Sequence, residues 1–224
     1  MSLKLRRRAS KVFVSSVVAV LAALAWAAEA PKEEGFTELF DGKTLNGWRR
    51  CNEPGHGWGA VWSARDGALD GVQEWPGAWG MVATAKTFGD FELRLEVKTD
   101  WPLDAGILLR SGLDGRAYQV LVHSRPDGDV GGIAGARIGD FSAPAKGWKK
   151  LWKKADWNEL RIVIKGNPPE IHTWLNGAPV ADFKDDAKEP RLPATGHIAL
   201  KVHGDEGCFN NHVAVRRIRV LELK

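Results

Sequence analysis

From residue 91 to residue 98 the chain reads FELRLEVK, apolar at every odd number and charged at every even one. Strand side chains alternate between two faces, so this octet reads as a strand with one dry face and one wet face. The pattern recurs, less regularly, at 106–110, 118–123, 159–165, 171–175, 197–203 and 213–223. Turn formers punctuate these runs: Asp66-Gly67, Asp114-Gly115, Asp127-Gly128, Gly166-Asn167-Pro168-Pro169 and Asn176-Gly177. Asn-Gly between two short apolar runs is a strong hairpin signal, because both residues accept a positive φ. No long stretch carries a capped 3.6-residue apolar period, and only residues 146–154 leave room for a short helix. Many short antiparallel strands in a chain of this length predict an all-β fold, a two-sheet sandwich or jelly roll.

The first residues carry a different message. Lys4, Arg6, Arg7, Arg8 and Lys11 precede an apolar run from Val12 to about Trp26, and Ala25-Trp26-Ala27 has the small-x-small form of a cleavage site. This is the pattern of a secretory signal peptide over 1–27, removed after Ala27; the run is too short for a comfortable membrane span. Residues 28–34 form a solvated lead-in, and 35–224 have the size of a single domain. The product is expected to be exported, periplasmic or extracellular. The whole chain has 32 Lys+Arg against 28 Asp+Glu; without the leader's five basic groups the balance is 27 against 28, a net of −1. The basic character belongs to the leader, so nucleic acid is not an expected partner.

Cys51 and Cys208 are the two cysteines. In an oxidising compartment they can bridge, closing a long loop worth roughly 4 kcal/mol, or remain separate thiols. Ten of the eleven tryptophans lie beyond the leader. Trp157 and Trp174 sit in strand-like contexts and are expected in the core, whereas Trp58, Trp75, Trp79 and Trp101 lie among Gly and Pro. Such loop indoles either cap the ends of the sandwich or offer flat faces to a sugar ring.

Chemistry concentrates in GHIALKVHG, residues 196–204. With Ile198, Leu200 and Val202 facing the core, His197, Lys201 and His203 share the opposite face. The same parity places Arg110, Gln119 and His123 away from the core on their own strands. If these strands neighbour one another, one sheet face collects all six groups, as a polar concave patch or as an ordinary exposed face. No nucleophile elbow, HExxH motif or phosphate-cradling loop appears, and the glycines Gly131, Gly132 and Gly135 lie in a loop without a strand-then-helix context. Glu92 and Glu96 share their face with Arg94 and Lys98, which reads as a solvated exterior and not as the carboxylate pair of a glycosidase.

With these elements in order, the sequence resembles the 3-keto-disaccharide hydrolase family. The matches begin at GFTELFDGKTLNGW (35–48) and continue through GDFEL (89–93), AGILLRS (105–111), YQV (118–120), DWN (156–158), WLNG (174–177), GHIAL (196–200), VHG (202–204) and RIR (217–219). The resemblance implies a concanavalin A-like jelly roll, the fold of many lectins and glucanases, acting on sugars already oxidised at C3. A 3-keto group acidifies the C2 proton, so a base can remove it and the C1 substituent can leave; water then adds back. On this chain the implied base is His203 or His197, with Lys201 and Arg110 stabilising the enolate. Gln119, His123, Trp75, Trp101 and Asp104 are the implied substrate contacts. A divalent metal ion could share the enolate's charge, with the histidines as ligands.

An upstream sugar 3-oxidoreductase would have to supply the substrate. The chain departs from the family where relatives commonly carry an acidic residue near 123, Gln near 201 and an acidic residue near 136–137; here these are His123, Lys201 and Ala136-Arg137. The alternative is a non-catalytic, lectin-like carbohydrate-binding module that uses the same groove.

Overall fold

The computed structural model describes residues 34–51, 60–73, 79–203 and 209–224. The signal peptide and its cleavage site, Trp58, Trp75 and Cys208 therefore lie outside the described residues, as does a bridge between Cys51 and Cys208. Among the described residues no helix is long and apolar enough to cross a membrane.

The strands in chain order are β1 (Thr37–Glu38), β2 (Trp48–Arg50), β3 (Ala60–Arg65), β4 (Ala68–Gln73), β5 (Gly80–Phe88), β6 (Phe91–Thr99), β7 (Asp104–Ser111) and β8 (Ala117–His123). There follow β9 (Val130–Ala136), β10 (Ser142–Ala143), the single-turn helix α1 (Trp148–Leu151), β11 (Asn158–Lys165), β12 (Glu170–Leu175), β13 (Ala178–Lys184), β14 (Gly196–Val202) and β15 (His212–Glu222). One antiparallel sheet runs β13-β12-β11-β6-β15-β4-β3, with β1 beside the second half of β15. The other runs β10-β9-β8-β7-β14-β5-β2. The fold is an all-β sandwich of two antiparallel sheets.

The two inner faces form the core. Phe91, Leu93, Leu95 and Val97 of β6 meet Ile107 and Leu109 of β7, Val120 and Val122 of β8, and Ile198, Leu200 and Val202 of β14. All are essentially inaccessible. Each such side chain contributes about 1.5–3 kcal/mol of burial, which fixes the register of every strand that carries one. Asn176 and Gly177 take φ of 49° and 83°, as a primed hairpin turn between β12 and β13 requires. The Asn176 side chain also donates to Leu151 O at 2.8 Å and accepts from Glu159 N at 2.9 Å, pinning α1 and β11 to the turn.

On the outer face of the first sheet, the even-numbered charges of β6 are held by arginines. Glu92 accepts from Arg161 at 2.8 and 2.9 Å and from Arg94 at 2.6 Å; Glu96 accepts from Arg216 at 2.7 Å and Arg217 at 2.8 Å. Trp157 and Trp174 depart from the sequence expectation. Both are half-buried, outside the core, with the Arg216 guanidinium 3.9 Å from the Trp157 ring and Arg161 4.1 Å from Trp174. An indole stacked under a guanidinium needs no core position to lose most of its water. The core indoles are instead Trp48, Trp62 and Trp148. The expected glycine loop at 131–135 is also a strand, β9. There a Cβ on Gly131 would lie 2.7 Å from Val180, and one on Gly132 would lie 2.1 Å from the Asp129 carboxylate.

Candidate functional site

The outer face of the second sheet carries the candidate site, but its centre is apolar. Met81 and Ala83 of β5, Leu108 of β7 and Ala199 of β14 point outward yet are buried, and they cluster with Cys51 and Ala117. This patch divides the polar groups that strand parity grouped together.

Two of them fall away from the rest. Opposite Ile198, β7 inserts an extra residue: His197 pairs with Ser111 and Ala199 with Leu108, so Leu109 and Arg110 share one partner. Arg110 takes a φ of 50° at this bulge and its side chain leaves the outer face. The guanidinium is 1% exposed and donates to Gly89 O (2.9 Å), Gly166 O (2.6 Å) and Asp90 Oδ1 (2.7 Å). It ties the β5–β6 turn to the β11–β12 turn, and so joins the sheets at one end. The expectation that Arg110 lies with the histidines and Lys201 is thereby corrected. His197 stays on the outer face at the other end of β14, roughly 13 Å of strand from Lys201. Its Nδ1 lies 2.8 Å from Thr84 O, and Thr84 Oγ1 accepts from Ile198 N, so the ring fastens an irregular stretch of β5.

Gln119, Lys201 and His203 converge where β14 ends. Lys201 pairs with Gly106 of β7, and Gly106 pairs in turn with Leu121 of β8. Gly106 has no side chain to fill the space above it, and the Gln119 amide lies there: a Cβ on Gly106 would sit 2.5 Å from Gln119 Nε2. Gln119 is buried, and its amide has no hydrogen-bond partner among the described residues. Lys201 and Gln119, together with Trp79, Gly115, Gly135, Ala136, Arg137 and His203, line a concavity of about 300 Å³. None of these eight is a carboxylate. Trp79 rests on Gly115, whose φ of 78° and lack of a Cβ let the indole approach, and the Lys201 ammonium lies 5.4 Å from the indole ring. Burial pushes the Lys201 amine below the ordinary lysine range, with the Asp104 charge opposing that shift only in part.

His203 closes the edge. Its backbone N donates to Asp104 O at 2.8 Å, and Nδ1 lies 3.6 Å from Asp104 Oδ2. The carboxylate thus stands beside the imidazole, just beyond normal hydrogen-bond length. Asp104 also faces His123 across the β7–β8 ladder. His123, however, does not line the concavity. It packs against Gly128 beside Asp129, and its Nε2 is buried without a hydrogen-bond partner among the described residues. Trp101 is exposed on the β6–β7 connection under Lys154, whose ammonium lies 4.4 Å from its ring, and does not line the concavity either.

Arg137 was not anticipated as a site residue. It takes a φ of 59°, and its guanidinium donates to Asp114 O at 2.6 Å along the rim. Trp79 was legible only as one of several loop indoles. Among the described residues no three His, Cys, Asp or Glu side chains come together as a metal site.

A family model described as a 3-keto-alpha-glucoside-1,2-lyase-like domain matches residues 35–221. Among solved structures the chain is similar to two candidate glycosyl hydrolases from Parabacteroides distasonis ATCC 8503. One is 18% identical, with a TM-score of 0.61 over 85% of this chain and 95% of that one. The other is 22% identical, with a TM-score of 0.56 over 84% and 99%. It is also similar to the carbohydrate-binding module CBM66 from Bacillus subtilis, at 13% identity and a TM-score of 0.55 over 79% and 96%. These likenesses show the fold. No curated protein sequence matches the chain.

Proposed function

We propose, for a chain that belongs to the 3-keto-alpha-glucoside-1,2-lyase-like family, that the Lys201–Gln119–His203 concavity binds a 3-keto-glycoside and eliminates its C1 substituent. The observation that carries this reading is the convergence of two nitrogen donors and one imidazole on a hollow whose lining, among the described residues, holds no carboxylate. A retaining or inverting glycosidase needs two positioned carboxylates, whereas elimination next to a ketone needs one base and donors for an enolate oxygen.

His203, with Asp104 behind it, takes the C2 proton. Lys201 and the Gln119 amide face the C3 oxygen and hold the charge that develops there. Trp79 offers a flat wall to the sugar ring, and Arg137 offers N–H groups to its hydroxyls. The C1 oxygen leaves with a proton returned by His203, and water adds to the resulting enone. These steps use the chain's own side chains; a bound divalent ion would supply further stabilisation of the enolate. The basic n-region and apolar run before Ala27 fit an exported enzyme whose substrate comes from a sugar 3-oxidoreductase.

The test compares aglycone release from a 3-keto-glucoside and from its unoxidised parent, with and without chelator. Release from the keto compound alone is expected. The second reading, a sugar-binding module, draws on Trp79 as a stacking wall. His203→Ala separates the two: it removes turnover with little change in affinity if the site is catalytic. Trp79→Ala lowers affinity most if the site only binds.

A further inference from the structure

Lys201 stands apart from the other lysines of this domain in three ways. It projects from an interior strand of the sheet, one residue before that strand ends, and not from a loop or an edge strand. Its ammonium lies against the Trp79 ring in the concavity and has no ion-pair partner among the described residues. It shares that concavity with the amide of Gln119 and the imidazole of His203. A lysine that only donates a hydrogen bond gains nothing from losing its charge, whereas a lysine nucleophile needs a free amine within reach of a carbonyl.

Building on the 3-keto-glycoside reading above, we propose that Lys201 is a covalent catalyst, forming an imine with C3 of the sugar. The amine nitrogen adds to C3, and the carbonyl oxygen takes up protons and leaves as water, giving a protonated imine. That cation withdraws electrons from C2 more strongly than the ketone does. His203 removes the C2 proton, and the electron pair forms the C2=C3 enamine. The enamine then expels the C1 oxygen, which takes the proton from His203, leaving C1=C2 conjugated to the C3 imine. Water attacks C3 and restores the ketone and the Lys201 amine. No oxidant or reductant is consumed, and Gln119 is placed to accept from or donate to the carbinolamine hydroxyl.

Burial weakens the amine's hold on its proton, which favours the first step, and the Asp104 charge nearby steadies the cationic imine.

The test is reductive trapping. The mature protein is incubated with a 3-keto-glucoside and sodium borohydride, then digested and mapped by mass spectrometry. A sugar-sized secondary-amine adduct is expected on Lys201, at least about tenfold over any other lysine, and absent with the unoxidised glucoside. Lys201→Arg keeps the charge but cannot form the imine, and is expected to slow aglycone release by about 100-fold or more. Release at the wild-type rate by Lys201→Arg, or release by the wild type without trapping at Lys201, overturns the covalent role and leaves the elimination reading standing. Trapping at Lys201 with no release of the aglycone supports the nucleophile and overturns the elimination reading. If neither trapping nor release occurs, both fall.

Discussion

Replacing Arg110 by Met separates a structural role from a catalytic one. The guanidinium is fully buried and donates to two backbone carbonyls, Gly89 O and Gly166 O, and to Asp90 Oδ1. Each carbonyl loses a charged donor, at about 1.5 kcal/mol apiece by the usual range for such bonds. The Asp90 side chain is 40% exposed, so water takes over much of its share and that contact is worth under about 1 kcal/mol. Removing a buried cation recovers part of its desolvation cost. The net loss is about 3 kcal/mol. With a urea m-value near 2 kcal/mol/M for a domain of this size, the unfolding midpoint falls by about 1.5 M.

Turnover per folded molecule is expected to change less than about twofold, because Arg110 lies outside the concavity. Urea denaturation followed by tryptophan fluorescence, with aglycone release assayed well below the transition, measures both quantities. An unchanged midpoint, or a folded variant that loses more than about tenfold in turnover, refutes the assignment.

Gly106→Ala is expected to displace the Gln119 amide, which lies 2.5 Å from the new Cβ, and to cut aglycone release by about tenfold or more. Because the end of Gln119 is free to move, the unfolding free energy should change by under about 1 kcal/mol. Glu92 gives a pH signature. The Arg161 hydrogen bond, aided by Arg94, holds its carboxyl below the ordinary range against the opposing effect of burial. Its stabilisation is therefore present above the unfolded-state pKa and is lost as pH falls through the lower folded value. Glu92→Gln should cost about 1–2 kcal/mol at pH 7, since its arginine partners are about a third exposed, and the gap to wild type should close toward pH 3 in matched urea titrations.

Much of the sandwich was legible because local signals agreed with the global fold. The FELRLEVK alternation became β6, and Asn176-Gly177 became the turn between β12 and β13. The site was only half legible. Parity assumes an unbroken strand, and one inserted residue opposite Ile198 sent Arg110 into the end of the sandwich. The run Ile107-Leu108-Leu109 held a warning, since apolar residues of both parities mark a strand covered on both faces. That cover, shared by Met81, Ala83 and Ala199, is what parts His197 from Lys201. The place of Gln119 above Gly106 depends on pairing between β7 and β8, and the meeting of Trp79 and Arg137 with Lys201 depends on contacts far apart in the chain; no local pattern encodes either.

The most direct test of the central claim follows the C2 proton. In deuterated water, proton NMR of a 3-keto-glucoside incubated with the mature protein should show its C2 resonance consumed as the aglycone appears. The unoxidised glucoside should remain intact, and His203→Ala should abolish both changes while the protein stays folded. Cleavage of both sugars at similar rates, or aglycone release from the keto sugar by His203→Ala at the wild-type rate, would contradict the account.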